Sequence, residues 1–146
     1  MSKTEADLTT LAHGQTVLAL CWPALDIITP ELLSRVLHAL EKCGYGALCD
    51  TVHIALAEAL NNVIEHGYRD MQGGAIAVRV AGHDNGVTIE VNDWGLPLST
   101  LPEGVAPDPR DLCEGGYGWF LIRTLVTELR YVRHGDRNCL TLYLCD

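Results

Sequence analysis

Glu58, Asn62, Glu65 and His66 are the residues of this chain best suited to chemistry. They collect on one side of residues 52–68 when that stretch is wound at 3.6 residues per turn, while Val52, Leu56, Ala59, Leu60 and Val63 collect on the other. A solubilising helix face carries lysine and arginine among its acids. This one carries carboxylates, carboxamides and an imidazole, groups that ligate metals or move protons. Glu58 and Asn62 stand four residues apart, so their side chains are stacked neighbours on a helix. The carboxamide of Asn62 offers a hard oxygen of the kind Mg2+ prefers. Further along, Asp93-Trp94-Gly95 ends an alternating apolar run, and Glu114-Gly115-Gly116-Tyr117-Gly118 opens a helical one. An aspartate at a strand end can accept from an exocyclic amine, and glycines at a helix start leave backbone N–H groups open to phosphate oxygens. Together the three points suit a metal-bound nucleotide. The phosphate loop G-x-x-x-x-G-K-[ST] is absent.

The elements that must position these groups follow from periodicity and punctuation. Gln15 to Leu20 has the length and branching of an opening strand. Thr29-Pro30-Glu31 reads as a helix start, with Thr29 as cap, Leu33, Val36, Leu37 and Leu40 as its apolar stripe, and Gly44 ending it in the left-handed conformation. The next helix takes Asp50 or Thr51 as its cap and stops near Gly67. Ile76, Val78 and Val80, then Val87, Ile89 and Val91, alternate with polar or small residues about the turn residues Asp84, Asn85 and Gly86, which predicts a β-hairpin. Residues 96–114 hold Pro97, Pro102, Pro107 and Pro109 and read as a long loop. Phe120, Leu121, Leu125 and Val126 suit a helix packed on a sheet, and residues 129–133 with Leu140, Leu142 and Leu144 form a closing hairpin. One domain over residues 15–146, preceded by a flexible segment 1–14, is the expected organisation.

Composition narrows the class. Hydrophobic residues make up 48% of 146, enough for a real core, and no apolar run approaches membrane-spanning length. A net charge of −9 with only ten Lys and Arg disfavours nucleic acid and anionic membranes, and leaves basic or neutral proteins as partners. The six cysteines contain no C-x-x-C pair and the first residues form no apolar signal segment, so a reducing cytoplasm is expected. Cys43, Cys49 and His53 have spacing that suggests a metal, but burial as small apolar residues is the favoured reading for the cysteines.

The segment from Glu58 to Asn62 with Glu65 and His66 resembles the N-box of the GHKL ATP-binding superfamily, Asp93-Trp94-Gly95 its first glycine box, and Gly116-Tyr117-Gly118 its second. Order and spacing agree. Within the superfamily the chain is most similar to the anti-sigma factor serine kinases, with Gly115 to Ile122 matching their G-G-x-G-x-x-L-I segment. The likeness extends over nearly the whole chain from Gln15. It implies an α+β fold: a two-layer α/β sandwich with a mixed, mostly antiparallel sheet and helices on one face.

It also implies roles. Asn62 would bind Mg2+, Asp93 the adenine amino group, Gly95 would admit the base, Gly116 and Gly118 would line the phosphates of ATP, and Glu58 would be the general base. Partners implied are a sigma factor and an anti-anti-sigma protein of STAS type, and family members tend to homodimerise. Pro97 departs from the superfamily's pattern and stiffens the loop entry. Arg110 is the one cation of that loop and a candidate for the γ-phosphate, although a lone loop arginine is more often solvated. His66 is read as capping the helix end, Trp94 and Trp119 as packing or partner contacts. A module that binds ATP and acts by sequestration alone is the alternative, and a detached sensor-kinase domain directed at histidine a weaker one.

Overall fold

The computed structural model describes residues 14–69, 71, 73–103 and 117–146. Five strands form one sheet: β1 (Gln15–Pro23), β2 (Ala75–His83), β3 (Gly86–Asp93), β4 (Glu128–His134) and β5 (Arg137–Cys145), in the order β1-β2-β3-β5-β4. Every pairing is antiparallel, so the parallel element of the expected mixed sheet does not occur among the described residues. The reason is topological. The strand pairs β2–β3 and β4–β5 are hairpins, and each remaining neighbour is reached after a crossing that reverses direction.

Three helices supply the second layer: α1 (Thr29–Lys42), α2 (Cys49–Asn62) and α3 (Gly118–Leu125). Alternation decides which sheet face they cover. Ile76, Val78 and Val80 of β2, Val87, Ile89 and Val91 of β3, and Leu140, Leu142 and Leu144 of β5 join one core with Leu33, Val36 and Leu40 of α1. The stripe expected on α2 is there, with Val52, Leu56 and Ala59 fully buried and Leu60 and Val63 nearly so. At about 25 cal/mol per Å2 of apolar surface, each such aliphatic side chain contributes roughly 1.5–3 kcal/mol.

The helix ends differ from expectation. Both α1 and α2 are entered through a 3-10 turn, Asp26–Ile28 and Gly46–Leu48, so Ile28 and Leu48 occupy the cap positions and no side chain caps either helix. A preceding 3-10 turn continues the backbone into the helix and leaves Thr29, Asp50 and Thr51 inside it, where Asp50 still faces the positive end of the dipole. Gly44 does adopt a left-handed φ of 89°, and the Tyr45 N–H bonds the Leu40 carbonyl as α1 ends. The cysteines are less buried than expected: Cys49 and Cys139 are half-buried, while Cys21, Cys43 and Cys145 are exposed. Cys43 sits just past the apolar stripe of α1, and Cys21 pairs with Ala77 on the sheet face away from the helices. Among the described residues no group of these side chains is arranged to hold a metal, and no helix is long and apolar enough to cross a membrane.

Candidate functional site

The polar face of α2 does not end with the helix. After Asn62 the backbone widens into a π turn, Val63–Gly67, closed by the Tyr68 N–H on the Val63 carbonyl at 3.0 Å. Such widenings are frequent at functional sites. Here the turn frees the Gly67 carbonyl, which accepts the Leu96 N–H at 2.6 Å and so pins the segment after β3 against the helix end. Gly95 is required at this junction: a β-carbon there would overlap the Gly67 carbonyl oxygen and lie 2.5 Å from its carbon. Tyr68 adds a second fastening. Its hydroxyl donates to the Ala75 carbonyl at 2.5 Å and accepts the Trp94 N–H at 2.9 Å. Burial pushes its pKa up, which keeps that donor protonated.

Asp93 shares the inward parity of Val87, Ile89 and Val91 and is only 7% exposed. Its Oδ1 accepts two hydrogen bonds, from Gly95 N–H at 2.9 Å and from the Asn138 amide at 2.8 Å. Asn138 lies directly opposite Asp93 in the β3–β5 register and opposite Arg133 in the β4–β5 register, so three adjacent strands meet at this level. A cavity of about 430 Å3 opens beside them. Asp93 and Asn138 stand at one part of its wall, Asn62 and His66 at another, with Leu96 and Trp119 among the apolar lining. An apolar cleft with a few convergent polar groups is the usual form of a small-ligand site.

The second glycine position meets the helix face directly. At Gly118, the first residue of α3, a β-carbon would stand 2.8 Å from Glu58 Oε2 and 3.6 Å from Asn62 Oδ1. Glycine therefore keeps open the space between the start of α3 and the two polar side chains of α2. The Asn62 amide nitrogen is buried and has no hydrogen-bond partner among the described residues. A buried carboxamide left half-satisfied costs roughly 1–3 kcal/mol, a cost that a ligand at the site can relieve. The unpartnered amide nitrogen is a donor suited to a phosphate oxygen, and Asn62 Oδ1 is a hard oxygen of the kind Mg2+ prefers.

Glu58, Asn62, Asp93, Gly95 and Gly118 are thus brought around one region, with Glu58 at the α3 start rather than in the cavity wall. Gly116 and Arg110 lie outside the described residues. His66 lines the cavity, a place its reading as a helix cap did not foresee. Sequence reasoning passed over Tyr68, Tyr131, Arg133 and Asn138. The available signal was parity, since Asn138 has the same parity as Leu140, Leu142 and Leu144, and Tyr131 and Arg133 have that of Leu129.

Three helices on an antiparallel sheet, with the polar face of α2 looking onto a glycine at the start of α3, are the fold and site to be set beside known proteins. The histidine kinase-like ATPase domain matches residues 28–144, and the chain belongs to that family. Among its relatives are an anti-sigma F factor of Clostridium novyi, 30% identical over 90 residues, which are 60% of this chain and 62% of that protein. The serine-protein kinase RsbW of Listeria monocytogenes is 29% identical over 109 residues, 69% of each chain, and that of Bacillus subtilis 27% over 103 residues, 65% of this chain and 64% of the other. Relatives such as the Clostridium protein are therefore matched over somewhat less than two thirds of their length. The crystal structure of the RsbU and RsbW domains of a Mycobacterium tuberculosis protein superposes with a TM-score of 0.60 at 20% identity, covering 88% of this chain and 31% of that one, which bears on the fold alone.

Proposed function

We propose that this chain is an anti-sigma factor with ATP-dependent serine kinase activity, which sequesters a sigma factor and phosphorylates a serine or threonine of a STAS-type anti-anti-sigma protein in the cytoplasm. The observation that carries the reading is the meeting of Glu58 Oε2 and Asn62 Oδ1 at Gly118. A kinase needs little covalent chemistry from its protein: it needs a nucleotide held in place, its charge neutralised, and an acceptor hydroxyl relieved of its proton. The names of the Clostridium, Listeria and Bacillus relatives support both the sequestration and the kinase parts.

In this reading Asp93 Oδ2 accepts from the adenine amine while Oδ1 stays held by Gly95 and Asn138. Gly95 would let the base approach the sheet end and Gly118 would border the phosphates, while the phosphate roles that the resemblance implies for Gly116 and Arg110 fall outside the described residues. Asn62 Oδ1 would hold Mg2+, and the ion would supply neutralisation of the charge on the transferring phosphoryl group. Glu58, one turn before Asn62, takes the proton of the attacking hydroxyl, and its half-buried position leaves it reachable by a partner's serine. The acidic composition suits protein partners rather than nucleic acid or membrane, and the resemblance implies a tendency to homodimerise.

Incubation with γ-labelled ATP and the anti-anti-sigma proteins of the source cell tests the proposal. Acid-stable label on a partner serine is the expected product. Measurable ATP binding without transfer to any of them would leave sequestration as the sole activity, and acid-labile label would indicate a histidine acceptor.

A further inference from the structure

Asn138 is 2% exposed and its amide makes contacts in two directions. Its Nδ2 donates to Asp93 Oδ1 at 2.8 Å and to the Gly95 carbonyl at 3.1 Å, and approaches the Leu96 carbonyl at 3.4 Å. Its Oδ1 accepts from the Tyr131 hydroxyl at 2.8 Å and from Arg133 Nη1 at 2.7 Å. Arg133 Nη1 also reaches the Gly95 carbonyl at 3.3 Å. Tyr131 in turn accepts the Leu98 N–H at 2.9 Å, so its own proton must point at Asn138. The direction of every bond in the chain Leu98, Tyr131, Asn138, Asp93 is then fixed. Flipping the amide would set its oxygen against a carboxylate and two carbonyls, and its nitrogen against two donors.

We propose that Asn138 is the positioning residue for base recognition, holding Asp93 as an acceptor through one oxygen and, by way of Tyr131 and Arg133, coupling it to the segment 95–98. The proposal rests on the reading of Asp93 as the acceptor for a base amine. With Oδ1 occupied twice, Oδ2 is the carboxylate oxygen left to the ligand among the described residues. An exocyclic amine satisfies it, whereas a carbonyl at the same place of the purine repels it. A carboxylate free to rotate would present either oxygen and discriminate less.

The test is calorimetric binding of ADP and of IDP, which carries a carbonyl in place of the amine, to the full chain. Wild type is expected to prefer ADP by at least about tenfold, the value of one good hydrogen bond. Asn138→Asp keeps the shape and the Tyr131 and Arg133 contacts but turns the donor facing Asp93 into a second carboxylate. At about pH 8 its ADP preference should fall at least about fivefold, and it should recover near pH 6, because two carboxylates in contact share a proton and the shared proton restores the donor. Tyr131→Phe, which removes one hydroxyl and leaves Arg133 in place, should reduce the preference by about threefold at either pH. A folded Asn138→Asp protein with the wild-type preference at pH 8, or one that loses both nucleotides equally without recovery at low pH, would overturn the positioning role. So would an unchanged preference in Tyr131→Phe, which decides the matter alone if the aspartate variant does not fold. Absence of any ADP preference in wild type would instead overturn the reading of Asp93 itself.

Discussion

Gly95→Ala tests how the first glycine box is built into the fold. The added methyl would have to enter the space of the Gly67 carbonyl group, which is backbone and cannot rotate away. Relief requires that the residues after β3 move off the π turn. Overpacking of this kind costs about 1–3 kcal/mol. Movement also weakens the bond from Leu96 N–H to Gly67, at 2.6 Å, and that from Gly95 N–H to Asp93, at 2.9 Å, each worth about 0.5–1.5 kcal/mol. The expected loss is therefore about 2–6 kcal/mol, or a fall in Tm of roughly 2–4 °C for each kcal/mol in a chain of this size. Gly73→Ala is the control. Its φ of 80° imposes strain, but nothing among the described residues lies within 4 Å of the added carbon, so the cost is about 1–2 kcal/mol. Urea unfolding of the two variants, with slopes compared to wild type, provides the measurement. Gly95→Ala unfolding within about 0.5 kcal/mol of wild type, with ADP binding intact, would refute the close approach.

Two other outcomes follow from the same geometry. Asn62→Ala should weaken MgATP binding at least about tenfold, yet leave unfolding stability within about 1 kcal/mol of wild type, since it removes an amide nitrogen that is already buried without a partner among the described residues; calorimetry and urea unfolding on one preparation read both. His83, bonded to Thr88 Oγ1 at 2.6 Å and edge-on to Tyr143, has its pKa lowered by burial and then by Arg79, against an opposing effect of Asp84. The unfolded chain then takes up the proton first, so stability is full above the unfolded value of about 6.5 and is lost as pH falls from there toward the lower folded pKa. His83→Gln should flatten that part of the stability profile, and an unchanged slope between about pH 7 and pH 5 would contradict it.

Much of this was legible in the sequence because it depends on local period. The stripe of α2 follows from 3.6 residues per turn, the β2–β3 hairpin from alternation about Asn85 and Gly86, and the ends of α1 and β3 from Gly44 and Asp93. The boxes that resemble the GHKL pattern fall where the family's order implies, and those within the described residues converge. What was not legible depends on register. Asn138 reads as one polar residue in a closing strand until the β3–β5 pairing sets it opposite Asp93 and the β4–β5 pairing opposite Arg133. The Tyr68 fastening joins residues 26 positions apart in the chain. The π turn after Asn62 also has no local signature, since a periodic apolar pattern continues through it to Val63 and Tyr68, both buried. Cap positions failed for a related reason: Thr29, Asp50 and Thr51 have the right chemistry, but a 3-10 turn ahead of each helix takes the cap itself.

The division of labour along α2 is the central claim, with Asn62 serving the bound nucleotide and Glu58 the acceptor hydroxyl. Its most direct test is Glu58→Ala, assayed for MgATP affinity and for transfer of label to an acceptor that wild type phosphorylates. Affinity should remain within about threefold of wild type while transfer falls by about 100-fold or more, the usual contribution of a general base. Transfer at the wild-type rate, or affinity and transfer lost in the same proportion, would contradict it.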